Sequence, residues 1–559
     1  MPRKPALAAA SLTGARHLAP ATAGTARPHS PDTTWEPDQR PLGRRGMAAL
    51  LFAVLSGLIT LGYHPFEYPL YATDEGIYME RAWSVIAEGQ LNPFTYIYDH
   101  APGGWLLIAA WDFILPHQFL AFGNPVNTGR VLMLLLHAAS VFFLFEIARK
   151  LSGGLRAPII ATFFFNFSPL AIYYERMVLL DNIMVFWLLL SLYLVLRHET
   201  PRVFTGMWSG LAFGISVLTK ENAIFFAPTI FYLLIRRLKG DPNRHFTTMF
   251  WLFAASASVS IYFLFATLKN ELLPNSFQFS MSHAPAGHVS LLYEMWYQLH
   301  RNQGALFSHG SFLFTMWLPK DPFLMVGGTV AMVVCLYLGW RERKRNPSLL
   351  VAGTLAFEIA FYLARGSVIL DFYVIPLIPM YALCIAFVAD RALQRISVPA
   401  VRVAIPALAA ALLLLPTGGY LLTHGQKGQL QAADVYYLPL TYLQQEQISW
   451  IQHNVPPGAR IISDDDIWVA LHDGHPNFPH DVSHWNAVGD PVVRNKEFGG
   501  GKWQDIDYIV MSNDMRRAMI INNAGGQENW ILNALDNHSV EVWHAGRGNL
   551  QLEIYKVQK

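Results

Sequence analysis

The sequence predicts a polytopic α-helical membrane protein: about eleven transmembrane helices followed by a small extracytoplasmic α/β domain. Three observations carry this. Of the 559 residues, 53% are hydrophobic and only 14% charged, too apolar a balance for one soluble globule. Apolar runs approaching the roughly 20 residues needed to cross a bilayer recur through most of the chain. The Lys and Arg clusters between those runs fall on one side of a self-consistent topology. The formal net charge of +2 averages a basic cytoplasmic surface with acidic segments elsewhere, so it gives no sign of nucleic acid as a partner.

Residues 1–46 are rich in Ala, Pro, Thr and Arg without apolar periodicity and read as a disordered tail. Its basic excess favours a cytoplasmic location, and the late start of the first apolar stretch, near Met47, argues against a cleaved signal peptide. Spans are expected at 47–64, 130–148, 157–174, 177–196, 204–219, 222–237, 246–268, 322–340, 348–364, 367–389 and 402–422, within a transmembrane domain over 47–423. With the N-terminus inside, five basic clusters land in cytoplasmic loops: Arg149/Lys150/Arg156, Arg197/Arg202, Arg236/Arg237/Lys239/Arg244, Arg341/Arg343/Lys344/Arg345 and Arg391/Arg395/Arg402. This agreement requires the apolar run 103–122, interrupted by Asp112 and Pro116, to lie along the outer interface.

Two segments are then expected outside. The first loop, 65–129, holds seven carboxylates and a single base, Arg81. The C-terminal segment, 424–559, has soluble composition; "ARIIS", "IDYIVMS", "VEVWHA" and "LQLEIYKV" read as strands and "NWILNALDN" as a helix. Cys335 and Cys384 both sit in apolar spans, which leaves no extracytoplasmic disulfide and no metal-type Cys spacing.

Candidate chemistry gathers at the outer ends of the spans. Asp74 and Glu75 follow the first span, and an adjacent acid pair points its side chains in different directions, so that one can face a reacting hydroxyl while the other holds a partner or a cation. Asp99-His100 opens a Pro-Gly-Gly run, where a His beside an Asp can bind phosphate, hold a metal or orient a base and the glycines admit a close backbone approach to a ligand. Arg176 and Asp181, Lys220 and Glu221, and Arg365 and Asp371 interrupt apolar segments at three further outer ends. Cations there lie on the face the positive-inside rule disfavours, which suits an anionic phosphate ligand. The C-terminal cluster Asp464, Asp465, Asp466, His472, Asp473, His475, His480, Asp481 and His484 is dense enough for a metal site, yet its spacing matches no ligand motif and reads as polar surface loops.

In this order the motifs resemble the dolichyl-phosphate-mannose protein mannosyltransferases and their bacterial lipid-carrier-dependent relatives, including the aminoarabinose transferases of lipid A, all of the GT-C superfamily. The matching points are Asp74-Glu75, Asp99-His100 with Pro102 and "LLIA", Arg176 with "VLLD" ending at Asp181, Leu218-Thr219-Lys220, and "FYVIPLIP", which contains Tyr373; the likeness covers about 47–390. Where the mannosyltransferases read His-Pro-Pro-Leu-Gly-Lys, this chain has Ala101, Gly103 and Trp105 at the second, fourth and sixth places, and the aminoarabinose enzymes have Lys where His100 stands. The resemblance implies a GT-C-like fold and an inverting transferase in a bacterial cytoplasmic membrane. A polyprenyl-phosphate sugar would be the donor, its phosphate gripped by Arg176, Lys220, Arg365 and His100. Asp74 would be the base and Glu75 its companion, with Asp99, Asp181, Glu221, Asp371 and Tyr373 in support. The acceptor (protein, lipid or polysaccharide) and any divalent cation are left open. The rival reading, a transporter or flippase of a lipid-linked or anionic substrate, calls for broken midplane helices and inverted repeats, and neither is visible.

Overall fold

The computed structural model describes residues 35–197, 202–274, 289–300, 306–365, 369–423, 441–522, 526, 529–546 and 551–559. Most of the expected tail, 1–34, and the start of the C-terminal segment, 424–440, lie outside this set. Residues 35–43 depart from the expected disorder: the Asp38 amide donates to the Lys150 carbonyl at 2.9 Å, and the Gln39 amide donates to the Leu196 carbonyl at 2.7 Å. They cover carbonyls left open at two helix ends, so this stretch is held by polar contacts that apolar periodicity does not reveal.

Helix is present in every expected span. The membrane part contains α1 (Arg44–Gly62), α4 (Pro125–Ser152), α5 (Arg156–Phe167), α6 (Pro169–Tyr174), α7 (Leu180–Leu196), α8 (Arg202–Thr219), α9 (Ala227–Arg237) and α10 (Arg244–Leu268). After α11 (Leu291–His300), a π-turn at Leu313–Trp317 runs through the short α12 (Leu318–Lys320) into α13 (Pro322–Glu342), α14 (Ser348–Ala364), α15 (Leu377–Arg395) and α16 (Pro399–Thr423). Among the described residues, five segments are long and apolar enough to cross a bilayer alone: α1, α4, α10, α13 and Asp371–Arg395. α4 starts five residues before the expected boundary, because the Asn124 side chain accepts from the Val126 amide at 2.9 Å with Pro125 at the first helical position. The expected span 157–174 breaks at Ser168-Pro169, where Ser168 caps α6.

Packing follows from small residues. Gly206, Gly210 and Gly214 form a stripe on α8, and a Cβ at Gly210 would stand 2.3 Å from the Trp251 carbonyl on α10. Only hydrogen at these positions lets the two backbones meet.

The first loop is folded. It contains α2 (Thr73–Ala87) and α3 (Gly103–Ile114). At 1.5 Å per residue α3 reaches about 18 Å, short of the roughly 30 Å apolar core, as the interfacial reading requires. The acids of this loop are partly internal: Glu75, Glu80 and Asp112 are buried.

The C-terminal part is α/β. A five-stranded sheet in the order β2-β1-β3-β5-β4 comprises β1 (Ile461–Ser463), β2 (Asp481–Ser483), β3 (Tyr508–Ser512), β4 (Ser539–Ala545) and β5 (Leu552–Val557). β2, β1 and β3 are parallel; β5 is antiparallel to both β3 and β4. All four strands expected from sequence are present, and β2 is additional. Helices α17 (Thr441–Asn454), α18 (Asp465–His472), α19 (His484–Gly489), α20 (Pro491–Phe498), α21 (Asn513–Asn522) and α22 (Asn529–Asn537) complete it.

This part packs directly on α2. The Gln444 side chain accepts from the Tyr71 amide and donates to its carbonyl, both at 2.9 Å, and Thr73 Oγ1 donates to Asp464 at 3.0 Å. A Cβ at Gly76 would lie 2.2 Å from the backbone carbonyl of Asp465. The C-terminal Asp/His cluster is correspondingly not all surface loop: Asp464, Asp465, Asp481 and His484 are buried. Burial raises the carboxyls of Glu80, Asp465 and Asp481 above the usual range, so this cluster holds protons rather than three charges.

Candidate functional site

A cavity of about 270 Å³ opens where the ends of several bundle helices meet the first loop. Six of the sequence-selected polar residues line it: Asp99 and His100 before α3, Lys220 after α8, Arg365 after α14, and Glu221 and Tyr373. Lys220 is buried and ion-paired to Asp181 of α7, with its Nζ 4.3 Å from the Tyr373 ring centre and 5.0 Å from that of Phe372. His100 Nδ1 lies 3.4 Å from Glu221, whose other carboxylate oxygen accepts from the Ala101 amide at 2.6 Å. Asp371 accepts from the Tyr174 hydroxyl at 3.0 Å. The lining also includes apolar side chains, Ile224, Leu291, Met295 and Leu299.

The Pro-Gly-Gly run approaches protein rather than open space. A Cβ on Gly103 would meet the Leu218 carbonyl at 2.8 Å. The glycines therefore bring the His100 segment flush against the end of α8, next to Lys220.

Asp74, on the first turn of α2, faces this group. Partial withdrawal from water pushes its carboxyl up to about 6; the positive charges of Lys220 and His100 oppose the shift, and Asp371 and Asp181 add to it. It is half-buried, a carboxylate poised near neutrality, the range in which a general base works best.

Two candidates sit elsewhere. Glu75 points away from the cavity, fully buried in a bidentate pair with Arg130 (3.0 and 2.7 Å), and also accepts from the Val178 and Ala72 amides. It anchors α2 and has no oxygen to offer a substrate or a cation. Arg176 is equally internal. Its guanidinium donates to the carbonyls of Ile172, Thr60, Tyr63 and His64, and its Cζ stands 4.4 Å from the Tyr68 ring centre. The expected phosphate contact is replaced by a cap on the C-terminal end of α1, where carbonyls lack helical partners. Arg176→Met should lower the thermal unfolding midpoint in detergent, each stranded buried carbonyl costing about 1–3 kcal/mol; an unchanged midpoint would contradict the capping role.

A family model described as dolichyl-phosphate-mannose-protein mannosyltransferase matches residues 109–264. Among solved structures, ArnT from Cupriavidus metallidurans, bound to undecaprenyl phosphate, is similar at a TM-score of 0.55 and 15% identity, covering 91% of this chain and 97% of that one. The archaeal oligosaccharyltransferase AglB from Archaeoglobus fulgidus, in complex with an inhibitory peptide and a dolichol-phosphate, is similar at 0.53 and 12% identity, covering 89% and 72%. The chain has the GT-C fold. No curated protein sequence matches it.

Several orphaned polar atoms sit around the cavity. Asp99 Oδ1, Arg365 Nε and both side-chain polar atoms of Asn222 line it without a hydrogen-bond partner, and Asp181 Oδ1 and the Tyr78 hydroxyl beside it are likewise unpaired. Unsatisfied buried groups are rare in native proteins, and a cluster of them marks a place where a polar ligand would complete the bonding. Asn222, Tyr78 and Arg130 are the residues that sequence reasoning passed over. Arg130 carried a usable signal, since it too is a lone cation on the disfavoured side. Among the described residues no group of three or more His, Cys, Asp or Glu is arranged to hold a metal ion. With Glu75 committed to Arg130, the acid pair of this GT-C chain does not fit a divalent cation.

Proposed function

We propose that this protein is an inverting glycosyltransferase that moves a sugar from a polyprenyl-phosphate donor to an acceptor hydroxyl at the extracytoplasmic face of the membrane. One observation carries the reading: Asp74, a carboxyl whose pKa is raised to about 6, stands near the charges of a cavity whose lining combines cations with apolar side chains. Such a cavity suits an amphipathic ligand with a phosphate and a hydrocarbon chain. The family match over 109–264 and the fold shared with ArnT and AglB support it.

In this reading Asp74 takes the proton from the acceptor hydroxyl. The resulting oxygen attacks the anomeric carbon from the face opposite the phosphate, the bond from that carbon to the phosphate oxygen breaks, and the electron pair leaves with polyprenyl phosphate. Lys220, Arg365 and His100 stabilise the charge that develops on the leaving phosphate. Asp181 and Glu221 hold two of these cations in place, and Tyr373 and Phe372 give Lys220 an aromatic floor. Arg365, over the Tyr362 ring at 4.4 Å with its Nε unpaired, is the cation freest to reach the donor.

The test is release of polyprenyl phosphate from a lipid-linked sugar by purified protein in detergent. Arg365→Ala should weaken donor affinity by about tenfold or more, the loss of a charge-assisted hydrogen bond worth roughly 1.5–3 kcal/mol. Arg176→Met should leave that affinity within about twofold while lowering stability. Equal donor affinity in wild type and Arg365→Ala would remove Arg365 from the site.

A further inference from the structure

Asp74, which feels the charges of Lys220 and His100 from the first cavity, itself lines a second one, of about 340 Å³, between α2 and the C-terminal part. Its walls include Asp74 and Ile77 from α2, and Asp464, His484, Trp485 and Met515 from the C-terminal part. The volume falls within the roughly 300–1,000 Å³ of small-molecule sites. Two features set its chemistry. Trp485 is 42% exposed, an open aromatic ring on an otherwise well-packed wall. His484 is 1% exposed, yet neither ring nitrogen has a hydrogen-bond partner, and burial lowers its pKa, so the ring stays neutral with one donor and one acceptor unused. Asp464, by contrast, is already engaged by Thr73, Ser512 and the Asp465 amide.

Resting on the transfer reading above, we infer that this second cavity is the acceptor site and that the acceptor is a carbohydrate, its ring stacked on Trp485 and its hydroxyls bonded by His484, with one hydroxyl delivered to Asp74. A neutral donor-acceptor imidazole matches a hydroxyl, which itself both donates and accepts, and an aromatic ring covers the apolar face of a sugar while leaving its edge hydroxyls free. A peptide acceptor fits less well, because no lining residue belongs to a strand that could pair with an extended main chain. Asp74 then stands between two cavities, one for the donor phosphate and one for the attacking hydroxyl, the placement a base needs in a single displacement.

The test is titration calorimetry of the purified full chain with mannotriose, galactotriose, arabinotriose and a Ser/Thr-containing peptide. At least one saccharide should bind, and Trp485→Ala should weaken it about tenfold or more. His484→Phe separates binding from structure. Exchanging an unpaired buried imidazole for an apolar ring of similar shape is neutral or stabilising for the fold, so a comparable loss of saccharide affinity with an unchanged unfolding midpoint supports the site. Failure of every saccharide to bind, binding indifferent to both substitutions, or binding of the peptide alone would overturn it. Saccharide binding without release of polyprenyl phosphate from any lipid-linked sugar would overturn the transfer reading and leave this site standing.

Discussion

Asp74→Asn should lower turnover by about 10²- to 10⁴-fold while leaving donor binding largely intact, because the amide keeps the shape of the carboxylate and cannot accept a proton. The pH profile adds a second signature. A base must be deprotonated to work, and burial lifts the Asp74 carboxyl to about 6, so the wild-type rate should fall as pH drops through about 6 and level off above it. The residual rate of Asp74→Asn should lack that acid limb. Turnover near the wild-type rate in a properly inserted Asp74→Asn protein would remove Asp74 from the mechanism, and Asp99 or Asp181 would be the next base to examine.

The second large effect concerns stability. Arg130→Met should destabilise the protein by about 3–5 kcal/mol, the usual result of stripping one partner from a buried ion pair. Both side chains of the Glu75–Arg130 pair are fully buried, and Arg130 also donates to the Pro65, Pro69 and Leu70 carbonyls. The loss is read as a drop in the unfolding midpoint in detergent. Combining Glu75→Gln with Arg130→Met should recover part of it, since no charge is then left unpaired in the interior. A midpoint that stays at the wild-type value in Arg130→Met would mean that the pair does not hold α2.

These two neighbours on one helix turn show where sequence reading stops. Adjacent helical residues point about 100° apart, so Asp74-Glu75 implies one acid facing in and one facing a ligand, but which is which depends on the position of Arg130, 55 residues away. Lys220 and Asp181 were legible because a charge inside an apolar segment must find a partner. Arg176 presented the same pattern and does something else: capping carbonyls and gripping a phosphate both place an Arg at an outer helix end, and only the position of the last turn of α1 separates them. The bundle helices and most of the sheet followed from periodicity and apolar length. β2 did not, being three residues within a stretch of His and Asp whose polar character points to surface. Those acids are interior because α2 packs over them, a contact between segments nearly 400 residues apart.

The same contact restricts how the molecule can be rearranged. With no room for even a methyl group between Gly76 and the backbone at Asp465, the helix that bears Asp74 is fitted to this C-terminal partner as closely as to the bundle. Replacing that partner with the equivalent part of a distant relative would displace Asp74 by whatever the new surface demands, so a functional chimera has to exchange 65–129 together with 441–559. The two stretches form one inheritable part, although the whole membrane bundle separates them along the chain.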